Sequence, residues 1–195
     1  MLIGIVGLER TGKDTVANYL VKNNNFLKYN LAQPIKEIGK IMFNWDINEM
    51  ETNKKDEIDT NTGIIPRDFY KWFGTQICQF EIYKHFPELK DKIPERHMWS
   101  HIMKNFVLEK RNKNINANII IPDIRFLHEM SVLKELGGHL IYLDRIQNPN
   151  FNNYELKEIM KKENNYIDYT LENRDSIELL YKSIEHLIKI VKIKK

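Results

Sequence analysis

The sequence predicts an α/β fold that is built around a mainly parallel β-sheet. "LIGIV" at residues 2–6 and "NIIIPD" at residues 118–123 are continuous apolar runs rich in β-branched residues, which is typical of strands buried on both faces. Between such runs, apolar residues recur with the period of a helix that packs one face against a sheet. Because strands alternate with helices along the chain, neighbouring strands are expected to run parallel.

The first strand leads directly into a glycine-rich turn and a helix. The turn "GLERTGKDT", from Gly7 to Thr15, has the spacing of a phosphate-binding loop, which is Gly, four residues and Gly-Lys. From Lys13 onward, one helical face carries Val16, Ala17, Leu20 and Val21. An ordinary glycine turn is the alternative, but it does not explain why the strand, the spacing, the lysine and the helix coincide.

The middle of the chain is predicted to form a second strand and three helices. The alternation of apolar and polar residues in "FLKYNLA", residues 26–32, predicts the strand. Pro34 and Pro66 suit the first turns of two helices. The apolar faces of the three helices are expected to carry Ile35, Ile38, Met42 and Trp45, then Phe69, Phe73, Ile77 and Phe80, then Met98, Ile102 and Phe106. Residues 46–63 are polar and without period, so we expect a mobile insertion there.

The last third of the chain continues the alternation. "ANIIIPD" and "HLIYLDR" predict two buried strands, and "FLHEMSVLKELGG" between them predicts a helix that ends at a glycine cap. Residues 146–165 lack a period and are rich in Asn, Lys and Glu. A last amphipathic helix follows, with Ile177, Leu180, Ile184, Leu187 and Val191 on its apolar face.

The composition is that of a globular protein and limits its partners. A chain of 195 residues with 42% apolar and 29% charged residues is most simply one domain over residues 1–195. The net charge of +3, with basic residues scattered among acids, argues against a nucleic acid partner. Cys78 is the only cysteine, which favours a reducing compartment. Without an apolar run of roughly 18 residues or a secretory signal, a cytoplasmic protein with no membrane partner is expected.

The residue types of the loop indicate how it would hold a phosphate chain. Gly7 and Gly12 would let the backbone wrap an oxyanion without Cβ clashes. The N–H groups of Thr11 to Thr15 would point at the phosphates, and Lys13 would bridge the β- and γ-phosphates. The pattern therefore predicts a nucleotide-binding loop.

Two aspartates are the candidate metal ligands. Asp14 follows the lysine, where a phosphate-binding loop usually has a Ser or Thr that binds Mg²⁺. A carboxylate is also an acceptable Mg²⁺ ligand, directly or through water, and Thr15 still offers a hydroxyl to a phosphate. Asp123 ends a predicted strand, at the edge of a parallel sheet where ligands bind. A helix cap is the alternative role for Asp123.

Five segments together carry a resemblance to a known family. "GLERTGKDT", "LAQPIKE", "RDFYKWFGTQ", "ERHMW" and "PDIRFLHEM" occur in an order that resembles the deoxynucleoside monophosphate kinases of bacteriophages and large DNA viruses. The tail "IDYTLENRDSIELL" resembles their final strand, Asn-containing turn and helix. The resemblance covers nearly the whole chain except residues 46–63 and 146–165. It implies a three-layer P-loop NTPase fold like that of adenylate kinase, with 146–165 as a lid-like segment.

The resemblance also implies roles for individual residues. Binding of ATP with Mg²⁺ would fall on Arg10, Thr11, Gly12, Lys13, Asp14 and Thr15. The deoxynucleoside monophosphate would be bound by Lys36, Arg67, Gly74, Arg96 and Trp99, the last by stacking on the base, and by Asp123, Arg125 and Glu129 in the same crevice. Lys13, Arg67 and Arg125 would be the catalytic cations, since transfer between two polyanions needs several positive charges. The lid-like segment has no arginine, so the cation that reaches the transferring phosphoryl group stays open between the flanking Arg145 and Arg174 and the lysines within the segment, Lys157, Lys161 and Lys162.

The residues leave two other functions open. Phosphomevalonate kinase, another small-molecule kinase, shares a similar loop and an Arg–Trp-Gly stretch, although here Phe73 separates Trp72 from Gly74. A non-catalytic nucleotide-binding protein could use the same loop as a switch, but the additional arginines argue against it. The accepted bases and a possible homodimer also stay open.

Overall fold

The computed structural model describes residues 1–145 and 165–193. Its described strands form one five-stranded sheet in the order β2-β3-β1-β4-β5, and every neighbouring pair is parallel. The strands are β1 (Leu2–Val6), β2 (Phe26–Lys28), β3 (Asn118–Ile124), β4 (His139–Asp144) and β5 (Tyr169–Glu172). The predicted α/β fold with a parallel sheet is confirmed.

The chain forms two compact units. The first consists of Met1–Asn30 and Lys104–Lys195 and contains the whole sheet, and the second is Leu31–Met103. The prediction of one kinase domain over residues 1–195 stays a prediction. The lid-like segment predicted at 146–165, with its three lysines, lies outside the described residues except for its last position.

Helices cover both faces of the sheet in the first unit, which makes three layers. On one face, α1 (Lys13–Asn24) and α7 (Ile177–Ile193) share a core with Ile3 and Ile5 of the central strand. On the other face, α6 (Leu127–Glu135) lies so close to β1 that a Cβ at Gly4 would be 2.6 Å from Cδ1 of Leu133. Successive residues of β1 point to opposite faces of the sheet, so this strand packs against α1 and α7 on one face and against α6 on the other.

The second unit is helical around an aromatic core. Its helices are α2 (Gln33–Phe43), α3 (Pro66–Lys71), α4 (Ile82–His85) and the first part of α5 (Met98–Lys113), with short 3₁₀ helices at Glu49–Glu51, Asn53–Asp56 and Pro87–Asp91. Trp45, Met50 and Phe69 are buried together in this core. Residues 46–63 thus contain short helical turns and one core residue, and their mobility stays a prediction.

Several predicted boundaries and faces were wrong. β2 ends at Lys28 rather than at residue 32. Met42 and Ile177 are exposed although they continue the apolar period of their helices. Of the predicted Phe69, Phe73, Ile77 and Phe80 face, only Phe69 is buried, because the chain is π-helical over Trp72–Glu81 and its wider turns break the row of residues four apart.

The buried face of α5 is shifted by one residue from its prediction. Ser100, Met103 and Val107 are buried, while the predicted Met98, Ile102 and Phe106 are half-buried. The period of the helix was therefore predicted correctly, but its rotation was not. None of the helices within residues 1–145 and 165–193 has the length and apolar character to cross a bilayer.

Candidate active site

The loop between β1 and α1 depends on both of its glycines. Gly12 has φ 99°, a left-handed conformation that side chains rarely adopt. A Cβ at Gly7 would lie 2.8 Å from the carbonyl oxygen of Leu143 and 2.9 Å from Oγ1 of Thr11. The buried Thr11 donates from Oγ1 to the carbonyl of Leu8 at 2.9 Å. The loop is therefore closely wound, as a phosphate cradle requires.

The ammonium group of Lys13 lies inside this loop. Its Nζ donates to the carbonyl oxygens of Gly7 and Leu8, at 2.9 and 2.5 Å. Burial lowers the pKa of Lys13, and the positive charge of Arg125 lowers it further, while Asp14, Glu9 and Asp123 act in the opposite direction. The loop thus holds a partly desolvated cation beside its own backbone.

The neighbouring strand brings two further predicted residues to Lys13. β3 pairs with β1 in parallel, with Val6 opposite Ile124, so both strands end at the same edge of the sheet. Asp123 and Arg125 flank Ile124, and both act electrostatically on Lys13. Lys13, Asp123 and Arg125 therefore lie together at the carboxyl edge of the sheet, as the sequence predicted. Their binding roles stay predictions.

Glu129 is a helix cap in the structure. Its Oε2 accepts hydrogen bonds from the backbone N–H groups of Arg125 and Phe126, at 2.7 and 3.0 Å, at the start of α6. Burial raises the pKa of the Glu129 carboxyl to about 7, although these two hydrogen bonds favour the charged form. A Glu in the first turn of a predicted helix is a signal for such a cap. Its predicted contact with substrate stays a prediction.

Glu129 is expected to make the folded state less stable as the pH rises. Because its pKa is raised from 4.5 to about 7, the folded protein binds this proton more tightly than the unfolded chain does. The contribution of this proton to the free energy of unfolding is therefore complete below about pH 4.5. It decreases as the pH rises from there to about pH 7, by at most about 1.4 kcal/mol per pH unit. Glu129→Gln cannot ionise and should lack this decline. Urea unfolding of the wild-type protein and of Glu129→Gln at several pH values measures this decline. An equal pH dependence of stability in the two proteins would contradict the raised pKa of Glu129.

Asp14 lies in the first turn of α1 with its side chain 74% exposed. Its Oδ1 accepts a hydrogen bond from Nζ of Lys28 at 2.8 Å, and that ammonium also reaches Oδ1 of Asn18 at 3.1 Å. Within the described parts of the chain, no three His, Cys, Asp or Glu residues are placed to hold a metal ion together. Mg²⁺ usually takes one or two carboxylates and completes its shell with phosphates and water, so carboxylates such as Asp14 and Asp123 have the right chemistry for such an ion, and their role as its ligands stays a prediction.

Asn173 contacts the loop and was not among the predicted site residues. It follows β5 directly, and its Nδ2 donates to the carbonyl of Thr11 at 2.8 Å. Its own backbone N–H donates to the carbonyl of Asp144, at the end of β4, at 2.7 Å. The Asn of this turn belongs to the tail segment that carries the family resemblance, but an Asn after a strand indicates only a turn and not a contact with a loop 162 positions away.

In the second unit, two of the cations predicted to bind the monophosphate, Lys36 and Arg67, are paired with acids of residues 46–63. Nζ of Lys36 donates to Oε1 of Glu51, and the Lys36 side chain is largely buried. The guanidinium of Arg67 makes a two-point contact with Asp56, and Nη2 lies 2.9 Å from Oδ2. The pKa of Asp56 is lowered mainly by its hydrogen bond with Arg67. The insertion thus supplies carboxylates to both cations.

Gly74 and Trp99 lie together in the second unit. The indole N–H of Trp99 donates to the carbonyl of Gly74 at 2.9 Å, and a Cβ at Gly74 would lie 3.0 Å from Cδ1 of Ile35. Trp99 is half-buried, so part of its ring is accessible. Arg96 is exposed and has φ 68°, a strained value for a residue with a side chain. The roles of these residues toward a substrate stay predictions.

Comparison with known proteins decides the family. The model of the deoxynucleotide monophosphate kinase family matches residues 1–69 and 91–188. The chain belongs to this family. A protein of Acanthamoeba polyphaga mimivirus, named "Putative deoxynucleotide monophosphate kinase", is 28% identical over 187 residues, which are 94% of each protein. The resemblance predicted from the sequence motifs is confirmed, although the matched ranges include residues 46–63 and leave out 70–90, where Gly74 lies.

Solved structures of two other kinases share the fold of this deoxynucleotide monophosphate kinase family member. Shikimate kinase from Aquifex aeolicus vf5 is 14% identical, with all of both chains covered and a TM-score of 0.50. Dephospho-CoA kinase from Campylobacter jejuni is 11% identical, with 97% of this chain and 96% of that chain covered and a TM-score of 0.51. At such identities the likeness concerns the fold alone, and it agrees with the predicted P-loop kinase architecture.

Proposed function

We propose that this family member transfers the γ-phosphoryl group of ATP to the 5′-phosphate of a deoxynucleoside monophosphate, with Mg²⁺ as cofactor. The observation that carries the proposal is the position of Lys13, whose ammonium lies within a glycine-dependent loop beside Asp123 and Arg125. A cation in such a loop can follow negative charge from the bound triphosphate to the transition state. We also propose that the protein is cytoplasmic and acts on free nucleotides rather than on nucleic acid. Whether it forms a homodimer stays open.

At the donor end, the residues of the loop bind and orient the triphosphate. Arg10, Thr11, Gly12 and Thr15 would surround the β- and γ-phosphates, with backbone N–H groups at the start of α1 as donors. A phosphate oxygen would replace the Gly7 and Leu8 carbonyls as a partner of Lys13. Mg²⁺, held by Asp123 and Asp14, would neutralise charge on the phosphates. The catalytic contribution is then positioning and charge neutralisation, without a covalent enzyme intermediate.

At the acceptor end, Lys36 and Arg67 are proposed to bind the monophosphate, with Arg96 as a further cation. An arginine can hold a phosphate through two parallel hydrogen bonds, as Arg67 holds Asp56 here. Trp99, whose indole is fixed by the Gly74 carbonyl, offers a ring for stacking on the base. A phosphate must therefore compete with Glu51 and Asp56 for its cations.

Removing these competing carboxylates is expected to tighten acceptor binding. The double variant Glu51→Gln with Asp56→Asn should lower KM for the deoxynucleoside monophosphate by up to about thirtyfold, since each of the two ion pairs is worth about 0–1 kcal/mol and about 1.4 kcal/mol is tenfold. Glu57→Gln, an exposed acid of the same segment, is the matched control and should leave KM unchanged. Steady-state kinetics measure both. A rise in KM of the double variant would mean that the acids position the cations instead.

A panel of acceptors tests the proposed function. The wild-type protein is given ATP and Mg²⁺ with each deoxynucleoside monophosphate in turn, and with phosphomevalonate, while ADP formation is followed. ADP is expected with at least one deoxynucleoside monophosphate, and only when Mg²⁺ is present. ADP formed with phosphomevalonate alone would support the other small-molecule kinase considered above. If none of the acceptors gave ADP, a non-catalytic nucleotide-binding protein would be favoured.

A further inference from the structure

We propose that Asn173 is a positioning residue that sets the orientation of the Thr11–Gly12 peptide for phosphate binding. The proposal rests on the nucleotide-binding role proposed for the loop, and it assigns Asn173 an action through the backbone rather than on the substrate. Its starting point is the 2.8 Å hydrogen bond from Nδ2 of Asn173 to the carbonyl of Thr11.

The planarity of the peptide bond converts this contact into an orientation of the next N–H group. In a trans peptide the carbonyl of Thr11 and the N–H of Gly12 lie in one plane and point in opposite directions. No cis peptide occurs among the described residues. A side chain that holds the Thr11 carbonyl on one side therefore turns the Gly12 N–H to the other side, away from Asn173 and available to an anion.

The glycine at position 12 makes such a hold necessary. Gly12 has φ 99°, and a glycine can reach many other backbone conformations at low cost. Rotation of the Thr11–Gly12 peptide would turn a carbonyl dipole toward the phosphates in place of an N–H. The close approach also explains why this position excludes a side chain, since a Cβ on Gly12 would lie 2.8 Å from Nδ2 of Asn173.

Asn173 is itself fixed by the sheet. Its backbone N–H bonds to the Asp144 carbonyl at 2.7 Å, where β4 ends, and the neighbouring Arg174 pairs with the Asp144 carboxylate at 2.8 Å. The side chain therefore projects from an anchored turn. The carboxyl ends of β4 and β5 are thereby connected to the peptide that precedes Gly12 of the loop.

Binding of tripolyphosphate and of ATP distinguishes an effect of Asn173 on the loop backbone from a direct contact of Asn173 with the nucleoside. Tripolyphosphate has the phosphate chain of ATP but neither base nor sugar, so it detects only the phosphate cradle. Calorimetry of Asn173→Ala is expected to show affinity for tripolyphosphate and for ATP reduced by the same factor, about fivefold to tenfold, which is typical for the loss of one hydrogen bond. Affinity for the deoxynucleoside monophosphate should not change.

Matched variants keep the experiment decisive. Asn23→Ala removes a comparable hydrogen bond, from Nδ2 to the Tyr19 carbonyl at 2.9 Å on the exposed side of α1, and should leave both affinities unchanged. Asn173→Ser keeps a turn-favouring residue whose hydroxyl is too short to reach Thr11, so it should reproduce the loss even if the alanine variant folds poorly.

Each other outcome overturns the proposal. Weaker binding of ATP with unchanged binding of tripolyphosphate would mean that Asn173 contacts the nucleoside. Unchanged affinity for both ligands, in either variant, would leave Asn173 with a purely structural role while the proposed function stands. If the wild-type protein bound neither ligand, both this role and the proposed function would fail.

Discussion

Lys13→Met is expected to lower kcat by about 10²–10³-fold, because removing one preorganised donor from a transition state typically has an effect of this size. The methionine fills a similar volume but carries no charge to follow the transferring phosphoryl group. The fold should be retained, since the lysine is partly desolvated and its hydrogen bonds are made to loop carbonyls. Steady-state kinetics and circular dichroism together measure the effect.

Lys22→Met is the matched control for this prediction. Lys22 is an exposed lysine in the last turn of the same helix, so the substitution removes the same charge without touching the loop. Its kcat should equal that of the wild-type protein. A folded Lys13→Met variant with nearly full turnover would contradict the phosphate-loop interpretation.

Arg67→Met is expected to raise KM for the deoxynucleoside monophosphate by about ten- to hundredfold. A charge-assisted contact made through two hydrogen bonds is worth roughly 1.5–3 kcal/mol. KM for ATP should change little, because ATP is assigned to the loop after β1 and not to Arg67. Arg67→Lys should recover only part of the affinity, since an ammonium lacks the planar two-point geometry. The two KM values, measured separately, distinguish acceptor binding from general damage.

Lys71→Met tests whether this effect belongs to Arg67. Lys71 is an exposed cation at the end of the same helix, α3, and its removal should leave both KM values unchanged. Equal increases in the KM values for ATP and the monophosphate in Arg67→Met would remove Arg67 from the acceptor site.

Local sequence patterns predicted the sheet and the grouping of Lys13, Asp123 and Arg125 at its carboxyl edge. β1 and β3 are continuous apolar runs, and the loop spacing is a local feature of Gly7 to Lys13. The parallel pairing of β1 with β3 then places Asp123 near Lys13 without further information. The sheet and this grouping could be predicted because each depends on residues close in sequence and on one general rule of parallel sheets, while the binding roles of the residues stay predictions.

Contacts between distant residues could not be predicted in this way. Asn173 meets Thr11 only because β5 ends beside the loop, and Glu51 and Asp56 meet their cations only through the packing of the insertion. The π-helical segment at Trp72–Glu81 also has no signal in apolar periodicity, which assumes one helical period throughout. Long-range packing decides such features, and a single sequence does not show it.

Following the transferred phosphorus atom shows whether the protein moves a phosphoryl group from one nucleotide to another. Wild-type protein is incubated with Mg²⁺, a deoxynucleoside monophosphate accepted in the panel and ATP that carries radioactive phosphorus in its γ-phosphate. Chromatography of the products is expected to show the label in the deoxynucleoside diphosphate, in amounts equal to the ADP formed. Label found in inorganic phosphate, or left in ATP, would contradict the claim that this protein is a deoxynucleoside monophosphate kinase.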